Sequence, residues 1–306
     1  MRRFQGKDIK PRYRPLFYLL VNHQAAGYSK KKVEFLTGEL SRAGLEYRLL
    51  EPSSAEEAVF QVKRIINTRP EGIIACGGDS TVNLAAQHLI RRSPGLGIFP
   101  LGRFNNFYRS LLGDPDAATA VRHILSRQSR PIDHGLAGGR FFLGSVGLGL
   151  IPELHELLDK KGIPRFGISW SRYTAAAAAA VSPQEYLIKI DAFRFNISPV
   201  LLNLNLLSYT LGLPLVSPSL DEDGKGEIIF DIGQGKAILS SYIRQIYKKK
   251  YLYSDEIRMF RGGKISIAPV KGKKLYIDGE ITTCRTDTLE IEIFEKKIRI
   301  YQKKKE

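Results

Sequence analysis

The 306 residues leave room for one large domain or two ordinary ones, and 43% hydrophobic with 25% charged residues excludes a disordered chain. With 47 lysines and arginines against 31 acids, the formal charge of +16 points to an anionic partner: nucleic acid, an acidic membrane surface or a phosphorylated ligand. Cys76 and Cys284 stand alone, which excludes a disulfide framework and a zinc spacing and makes a reducing compartment the simpler expectation. No apolar run reaches the roughly 20 residues of a bilayer span. The basic start, Met1 to Pro15, is followed by no apolar leader with a cleavage site.

Leu16 to Val21 is an apolar run of strand length. Ser29 to Ala43 has helical spacing and stops at Gly44, a C-terminal cap. Leu45 to Leu50 is a second strand. Ser54 and Glu57 stand at capping-box spacing and open a helix that runs to about Thr68, before Pro70. Gly72 to Cys76 is a third strand, followed by a helix from about Thr81 to Arg92 and the strand Leu96 to Leu101. Helices fit Asn106 to Leu112 and Asp116 to Arg127. Strands alternating with helices predict an α/β unit with a mostly parallel, three-layer sheet.

Near Pro131 the pattern turns to strands: Ile132 to Ala137, Phe141 to Val146, Tyr186 to Ile190, Val200 to Leu207 and Glu227 to Ile232. Lys264 to Pro269, Lys273 to Ile277, Leu289 to Phe294 and Lys297 to Tyr301 follow. Gly138-Gly139 marks a hairpin. The alanine block from Ser171 to Ser182 reads as a packed helix. The expected division is residues 1–130, α/β, and residues 131–306, a β-sandwich-like domain whose last residues are free to pack back on the first.

Two loops have phosphate-binding chemistry. Gly77-Gly78-Asp79-Ser80-Thr81 joins a strand to a helix. Glycines there allow close backbone approach, the helix N-terminus offers N–H groups and positive dipole, and Ser80 and Thr81 add hydroxyls. Asp79 is placed to hold magnesium or orient a nucleotide. An ordinary βα turn with a Ser/Thr cap explains the same residues. Gly102-Arg103-Phe104-Asn105-Asn106 stands at the end of the next strand, so the two loops would line one cleft.

These motifs resemble the catalytic domain of the diacylglycerol kinases, sphingosine kinases and bacterial lipid kinases, within an NAD kinase-like superfamily. GGDST with VNLAAQHL, then LGIFPLGRFNNFYRSL, is similar to that family's GGDGT and Pro-Leu-Gly-Thr-x-Asn-Asp-Phe stretches. Leu20-Val21-Asn22 with Ala26-Gly27, Asp133 to Gly149, Pro218 to Gly224 and Ile277-Asp278-Gly279-Glu280 resemble further family segments in the family's order. The resemblance implies a nucleotide-binding α/β domain, a β-sandwich-like substrate domain, and transfer of the γ-phosphoryl group of ATP to a lipid hydroxyl. It places Asn22, Gly77, Gly78, Asp79, Ser80, Thr81, Gly102, Arg103 and Asn105 at the nucleotide. It makes Asp278 the catalytic base with Glu280 beside it, and Asp79, Asp221 and Asp223 the magnesium ligands. A plain hairpin also accounts for Asp278-Gly279, and an acidic turn for Asp221 to Asp223.

The chain departs from the family pattern on the nucleotide side. Ser80 replaces a glycine, Leu84 a glutamate, Arg103 a threonine, and Asn106 an aspartate. A relative that binds lipid or nucleotide with weak or absent catalysis is therefore the alternative reading. The missing glutamate at Leu84 speaks against an NAD kinase. No nucleic-acid-binding signature accompanies the charge. The expected partners are a lipid alcohol and, through the lysines of the last quarter, an anionic membrane bound peripherally from the cytoplasm; a homodimer is left open. Leu150, Ile151, Trp170, Tyr173 and Val200 to Leu207 are candidates for a lipid cavity, or simply core.

Overall fold

The computed structural model describes residues 16–182, 184–216, 220–232, 236–248 and 257–304. Pro218 of the segment Pro218 to Gly224, and Lys249, Lys250 and Lys305 among the lysines of the last quarter, lie outside the described residues. The α/β half runs β1 (Leu16–Val21), α1 (Lys30–Arg42), β2 (Glu46–Leu50), α2 (Ala55–Ile66), β3 (Gly72–Gly77), α3 (Asp79–Ala86), β4 (Gly95–Pro100), α4 (Asn106–Leu112) and α5 (Ala117–Ser126). Strands β1 to β4 pair in parallel in the order β2-β1-β3-β4. β3 is buried along its whole length, as a parallel strand covered on both faces must be. Right-handed crossovers put α1 and α5, which touch, on one face, and α2 and α3, which touch, on the other.

The strand-rich half continues with β5 (Ser129–Ala137), β6 (Arg140–Phe142), β7 (Ser145–Gly149), α6 (Leu150–Lys161), α7 (Gly167–Ala180), β8 (Tyr186–Ile190), β9 (Phe193–Ile197) and β10 (Leu201–Asn205). Then come β11 (Tyr209–Thr210), β12 (Leu213–Pro214), β13 (Gly226–Asp231), α8 (Lys236–Tyr247), β14 (Ile257–Gly262), β15 (Lys264–Ala268), β16 (Lys274–Ile277), β17 (Glu280–Thr283) and β18 (Leu289–Tyr301). An antiparallel sheet of order β14-β13-β10-β7-β16-β17 packs on the sheet that contains β18, β15, β8 and β9. Strand alternation divides its side chains between two cores. Leu202, Leu204, Ile228 and Phe230 face Ile188, Ile265 and Ile291 of the opposite sheet. Leu201 and Ile229 face Leu154, Trp170, Ala178 and Ile243 of α6, α7 and α8. Leu150, Ile151, Trp170 and Val200 belong to this second core and are buried, while Leu202 and Leu204 line a small pocket between the two sheets.

The expected pair of strands at the end is one 13-residue strand, β18, of about 43 Å. Its first part pairs with β15 in the sandwich, and Ile300 pairs in parallel with Leu96 of β4. The parallel sheet and one face of the sandwich are therefore a single sheet. The interruption read from sequence is a bulge opposite β5, between Phe294 and Ile298, with Lys296 at φ +52°. Asp133, buried in β5, holds it: one carboxylate oxygen accepts from Lys296 N at 2.7 Å and the other from Gly224 N at 2.7 Å.

The described lysines of the last quarter fall at several points of the fold. Lys271 and Lys273 sit in the β15–β16 turn, Lys296 and Lys297 at the bulge, and Lys303 and Lys304 beyond Tyr301. They are thus spread along the whole length of β18. Removing the bulge anchor tests its role: Asp133→Ala leaves two main-chain N–H groups without their charged acceptor. It is expected to lower stability by about 3 kcal/mol in urea denaturation.

Candidate active site

The loop after β3 turns directly into a helix. α3 begins at Asp79 rather than at Thr81, with Gly78 as N-cap in extended backbone, so Ser80 and Thr81 lie in its first turn. Ser80 therefore takes the family's glycine position in helical backbone, where a side chain carries no penalty. Each glycine here answers to packing. A Cβ on Gly77 would lie 2.2 Å from Thr81 Oγ1, and one on Gly102 would lie 2.3 Å from Gly78 Cα. The two loops touch backbone to backbone, and only glycines permit that contact.

Polar side chains stitch the loops together. Asn22 Nδ2 donates to Thr81 Oγ1 at 3.1 Å, and Asn22 Oδ1 accepts from Gln24 N at 2.9 Å. Asn105, left-handed at φ +52°, caps α4 and closes its own loop through Gly102 N and Gly102 O, at 2.8 and 2.9 Å. The Asp79 carboxylate accepts from Phe107 N at 2.9 Å and Asn106 Nδ2 at 3.1 Å, and burial pushes its pKa up. Asp79 is thus occupied in fixing α4 against α3. The aspartate-to-asparagine change at Asn106 supplies one of its two donors.

The second half of the site arrives from the far end of the chain. Asp278 and Gly279 form the two-residue turn of the β16–β17 hairpin, both at positive φ, +47° and +97°. The hairpin reading of Asp-Gly thus holds for the backbone, while the side chain points inward. Asp278 Oδ2 accepts from Leu143 N at 2.6 Å and from Asn83 Nδ2 at 2.8 Å; Oδ1 accepts from Gly144 N at 2.9 Å and Ser145 N at 2.8 Å. These four donors explain why the single strand expected from Phe141 to Val146 is two, β6 and β7: at Leu143 and Gly144 the backbone turns its N–H groups to a carboxylate. They also occupy the four acceptor directions of the carboxylate. Asp278 is a junction, 6% exposed, and it lines a small pocket together with Ser80, Asn83, Arg140 and Glu280.

Glu280 lies on the open side of the same hairpin. Its carboxylate pairs with Arg140 at 2.7 Å, both side chains being largely exposed. It borders a cleft of about 700 Å³ whose wall includes Asn22, Ser80, Thr81, Asn83, Leu84 and Glu280. That is an ordinary size for a small-molecule site. The N-terminus of α2, at Ser53 to Ala55, lies across the cleft from that of α3, so two helix dipoles point their positive ends toward it. No lysine or arginine lines the cleft among the described residues.

Asn22, Ser80, Thr81 and Glu280 thus come together on one cleft, with Gly77, Gly78, Asp79, Gly102 and Asn105 behind it. Arg103 does not join them: its guanidinium pairs with Asp159 of α6 at 2.8 Å and lies over Phe104. Sequence reasoning missed His23, Glu51 and Ser53. His23 Nε2 and Glu51 Oε1 are 3.0 Å apart on the cleft wall. The available signal was the Ser54–Glu57 capping box, read only as a helix start. Ser54 does accept from Glu57 N at 3.2 Å, but the Glu57 carboxylate reaches back to Ser53 N and Oγ.

The residues expected to hold magnesium do not form a cage. Asp221 makes a two-pronged pair with Arg130, both contacts 2.7 Å, and Asp223 pairs with Arg261 at 2.7 Å. Asp79 is satisfied as described. Among the described residues no group of three or more His, Cys, Asp or Glu is placed to hold a metal ion. Asp79, Asp221 and Asp223 therefore do not converge on one site; each is engaged by partners of its own.

The comparisons with known proteins agree with this architecture. Residues 17–137 match the family model of the diacylglycerol kinase catalytic domain. A diacylglycerol kinase of Bacillus subtilis (strain 168) is 25% identical over 260 residues, 82% of this chain and 84% of its own. One from Staphylococcus carnosus (strain TM300) is 29% identical over 118 residues, 38% of this chain and 39% of its own. The crystal structure of a diacylglycerol kinase from Bacillus anthracis str. Sterne has the same fold, with TM-score 0.75, 20% identity, and coverage of 96% of this chain and 98% of that one. An NAD kinase from Archaeoglobus fulgidus, solved in complex with ATP, is a more distant match at TM-score 0.53 and 13% identity, over 94% of this chain and 93% of that one. The chain is thus similar to the diacylglycerol kinases: residues 17–137 match their catalytic-domain model, and its fold, an α/β half joined to a strand-rich half, is that of the Bacillus anthracis structure and, more distantly, of the NAD kinase.

The junction has a pH signature. Burial pushes the pKa of Asp278 up to about 6, against the lowering effect of its donors. A carboxyl whose pKa is raised on folding stabilises the fold in its protonated form, so this contribution is full below about pH 4 and lost as pH rises through about 6. Relative to Asp278→Asn, which does not titrate, the wild-type chain is expected to lose about 3 kcal/mol of unfolding free energy between pH 4 and 7. Denaturant titrations at several pH values measure it.

Proposed function

We propose that the chain is a lipid kinase, transferring the γ-phosphoryl group of ATP to the hydroxyl of a lipid such as diacylglycerol or a sphingoid-like alcohol. The observation that carries the reading is the meeting, on one cleft, of the α3 N-terminal turn with the Glu280 carboxylate. In this reading residues 1–130 bind the nucleotide and residues 131–306 present the lipid. The triphosphate lies against the first turn of α3, where Ser80 and Thr81 offer hydroxyls and the helix end offers positive potential. Leu84 and the apolar wall at Ala58 and Val59 receive the base. Magnesium enters as the counter-ion of the triphosphate, part of the substrate rather than a resident of the protein.

Glu280 takes the role first expected of Asp278. As the lipid oxygen bonds to the γ-phosphorus and the bridge to the β-phosphate breaks, the hydroxyl proton passes to Glu280 and ADP leaves. Arg140, paired with that carboxylate, keeps it aimed across the cleft. Asp278 is a positioning residue: it fixes the hairpin to β6, β7 and α3, so that Glu280 is held at a set distance from the phosphates. The work is peripheral, at an anionic membrane on the cytoplasmic side.

The absence of lysine or arginine from the described cleft wall favours the alternative, a relative that binds nucleotide or lipid without transfer. One experiment separates the two. The purified chain is given magnesium, labelled ATP and mixed micelles of diacylglycerol, sphingosine and a polyprenol. A labelled lipid is expected, and Glu280→Gln is expected to lower kcat by about 10²-fold or more with little change in nucleotide binding. ATP binding without labelled lipid would favour the non-catalytic relative. Full activity in Glu280→Gln would remove Glu280 from the mechanism.

A further inference from the structure

We infer that the turn between α6 and α7, with the adjoining end of α8, is the surface by which this protein docks on an anionic lipid bilayer. The inference specifies the membrane contact of the kinase reading, but it stands on a separate part of the molecule. Between Lys160 and Gln184 the sequence has no aspartate or glutamate, while Lys160, Lys161, Arg165 and Arg172 carry four positive charges. In a chain with 31 acids, a 25-residue gap with only positive charge is a marked local excess.

The structure puts apolar side chains in the middle of that charge. Phe166 is 69% exposed, Ile168 58% and Ile163 40%, and all three lie in or beside the turn. The four basic residues are exposed with them, and none makes an ion pair with a described carboxylate. The exposed face of α7 continues the surface through Arg172, Ala175, Ala176 and Ala179, again without an acid. α8 completes it. Tyr247, 37% exposed, donates its hydroxyl to Arg165 O at 2.7 Å, and Arg244 and Lys248 are exposed beside it.

The turn is built to hold this shape. Pro164 is buried, and Trp170 and the Tyr247 ring pack 6.2 Å apart beneath the turn. Large apolar side chains on such a support, ringed by cations, match the interfacial region of a bilayer: the apolar groups enter the acyl boundary and the cations meet lipid phosphates. A nucleic acid would use the cations and leave Phe166 and Ile168 in water.

The surface also adjoins the candidate site. Asp159, the residue before Lys160, holds Arg103 of the second nucleotide-side loop at 2.8 Å. Docking through this turn therefore sets the Gly102 to Asn105 loop close to the membrane, as a lipid acceptor requires. It also gives Arg103 a role other than phosphate contact, as a tie between that loop and the docking surface.

The test is sedimentation of the full chain with phosphatidylcholine vesicles, with and without phosphatidylglycerol, in the absence of nucleotide. Binding is expected only with the anionic lipid. The pair Phe166→Ser with Ile168→Ser, and separately Lys160→Glu with Lys161→Glu, are each expected to weaken it at least tenfold. Lys271→Glu with Lys273→Glu is expected to bind as wild type. Unchanged melting temperatures show that the variants fold. The inference is overturned if no vesicles bind, if the Phe166 and Ile168 pair binds normally, or if the Lys271 and Lys273 pair weakens binding as much. The readout needs no turnover, so it fails or succeeds independently of the kinase reading.

Discussion

Asp278 joins parts of the chain that sequence order keeps far apart. Its carboxylate takes three main-chain N–H groups from Leu143 to Ser145 and a fourth hydrogen bond from Asn83, 195 residues away. Removing any one partner would leave buried polar groups unmatched, so the arrangement is all-or-none. It fixes the β16–β17 hairpin to α3, and α3 is the helix whose first turn faces the cleft. Everything proposed for Glu280 follows from that fixation. In the proposed mechanism the carboxylate that takes the proton, Glu280, stands two residues from the one that anchors the hairpin.

The same theme runs through the other acids of the motif set. Asp79 holds α4 through Phe107 N and Asn106, Asp133 holds the β18 bulge, and Asp221 is clamped by Arg130. Each is engaged by hydrogen-bond or ion-pair partners of its own. The site is rich in helix ends and hydroxyls. β18 gives this set of anchors a common frame, because one strand pairs with β15 of the sandwich and reaches β4 beside the nucleotide-side loops.

Local pattern made most of the α/β half legible. Apolar runs, Gly44, the Ser54 cap and Pro70 located its elements to within a few residues, because each depends on neighbours in sequence. Other features escaped for the opposite reason. α6 begins immediately after β7 at Leu150, with no polar cap to announce it, only Gly149 at φ +69°. The break between β6 and β7 is imposed by Asp278, more than 130 residues on; its one local mark is Gly144, where a Cβ would lie 2.9 Å from Asp278 Oδ1. β18 was read as two strands because its bulge looks locally like an end, and its continuity depends on Asp133. In the site, the motifs located the loops correctly but not the direction of the side chains. Arg103 turns to Asp159 and Asp278 turns inward, and both orientations are set by tertiary partners.

The most direct test of this account is a crystal structure with magnesium and a non-hydrolysable ATP analogue. The account predicts the triphosphate along the first turn of α3, in contact with Ser80 and Thr81, with the terminal phosphate on the Glu280 side and the Asp278 hydrogen bonds unchanged. A nucleotide bound elsewhere, or one that draws Asp278 out of its four hydrogen bonds to face the terminal phosphate, would contradict it.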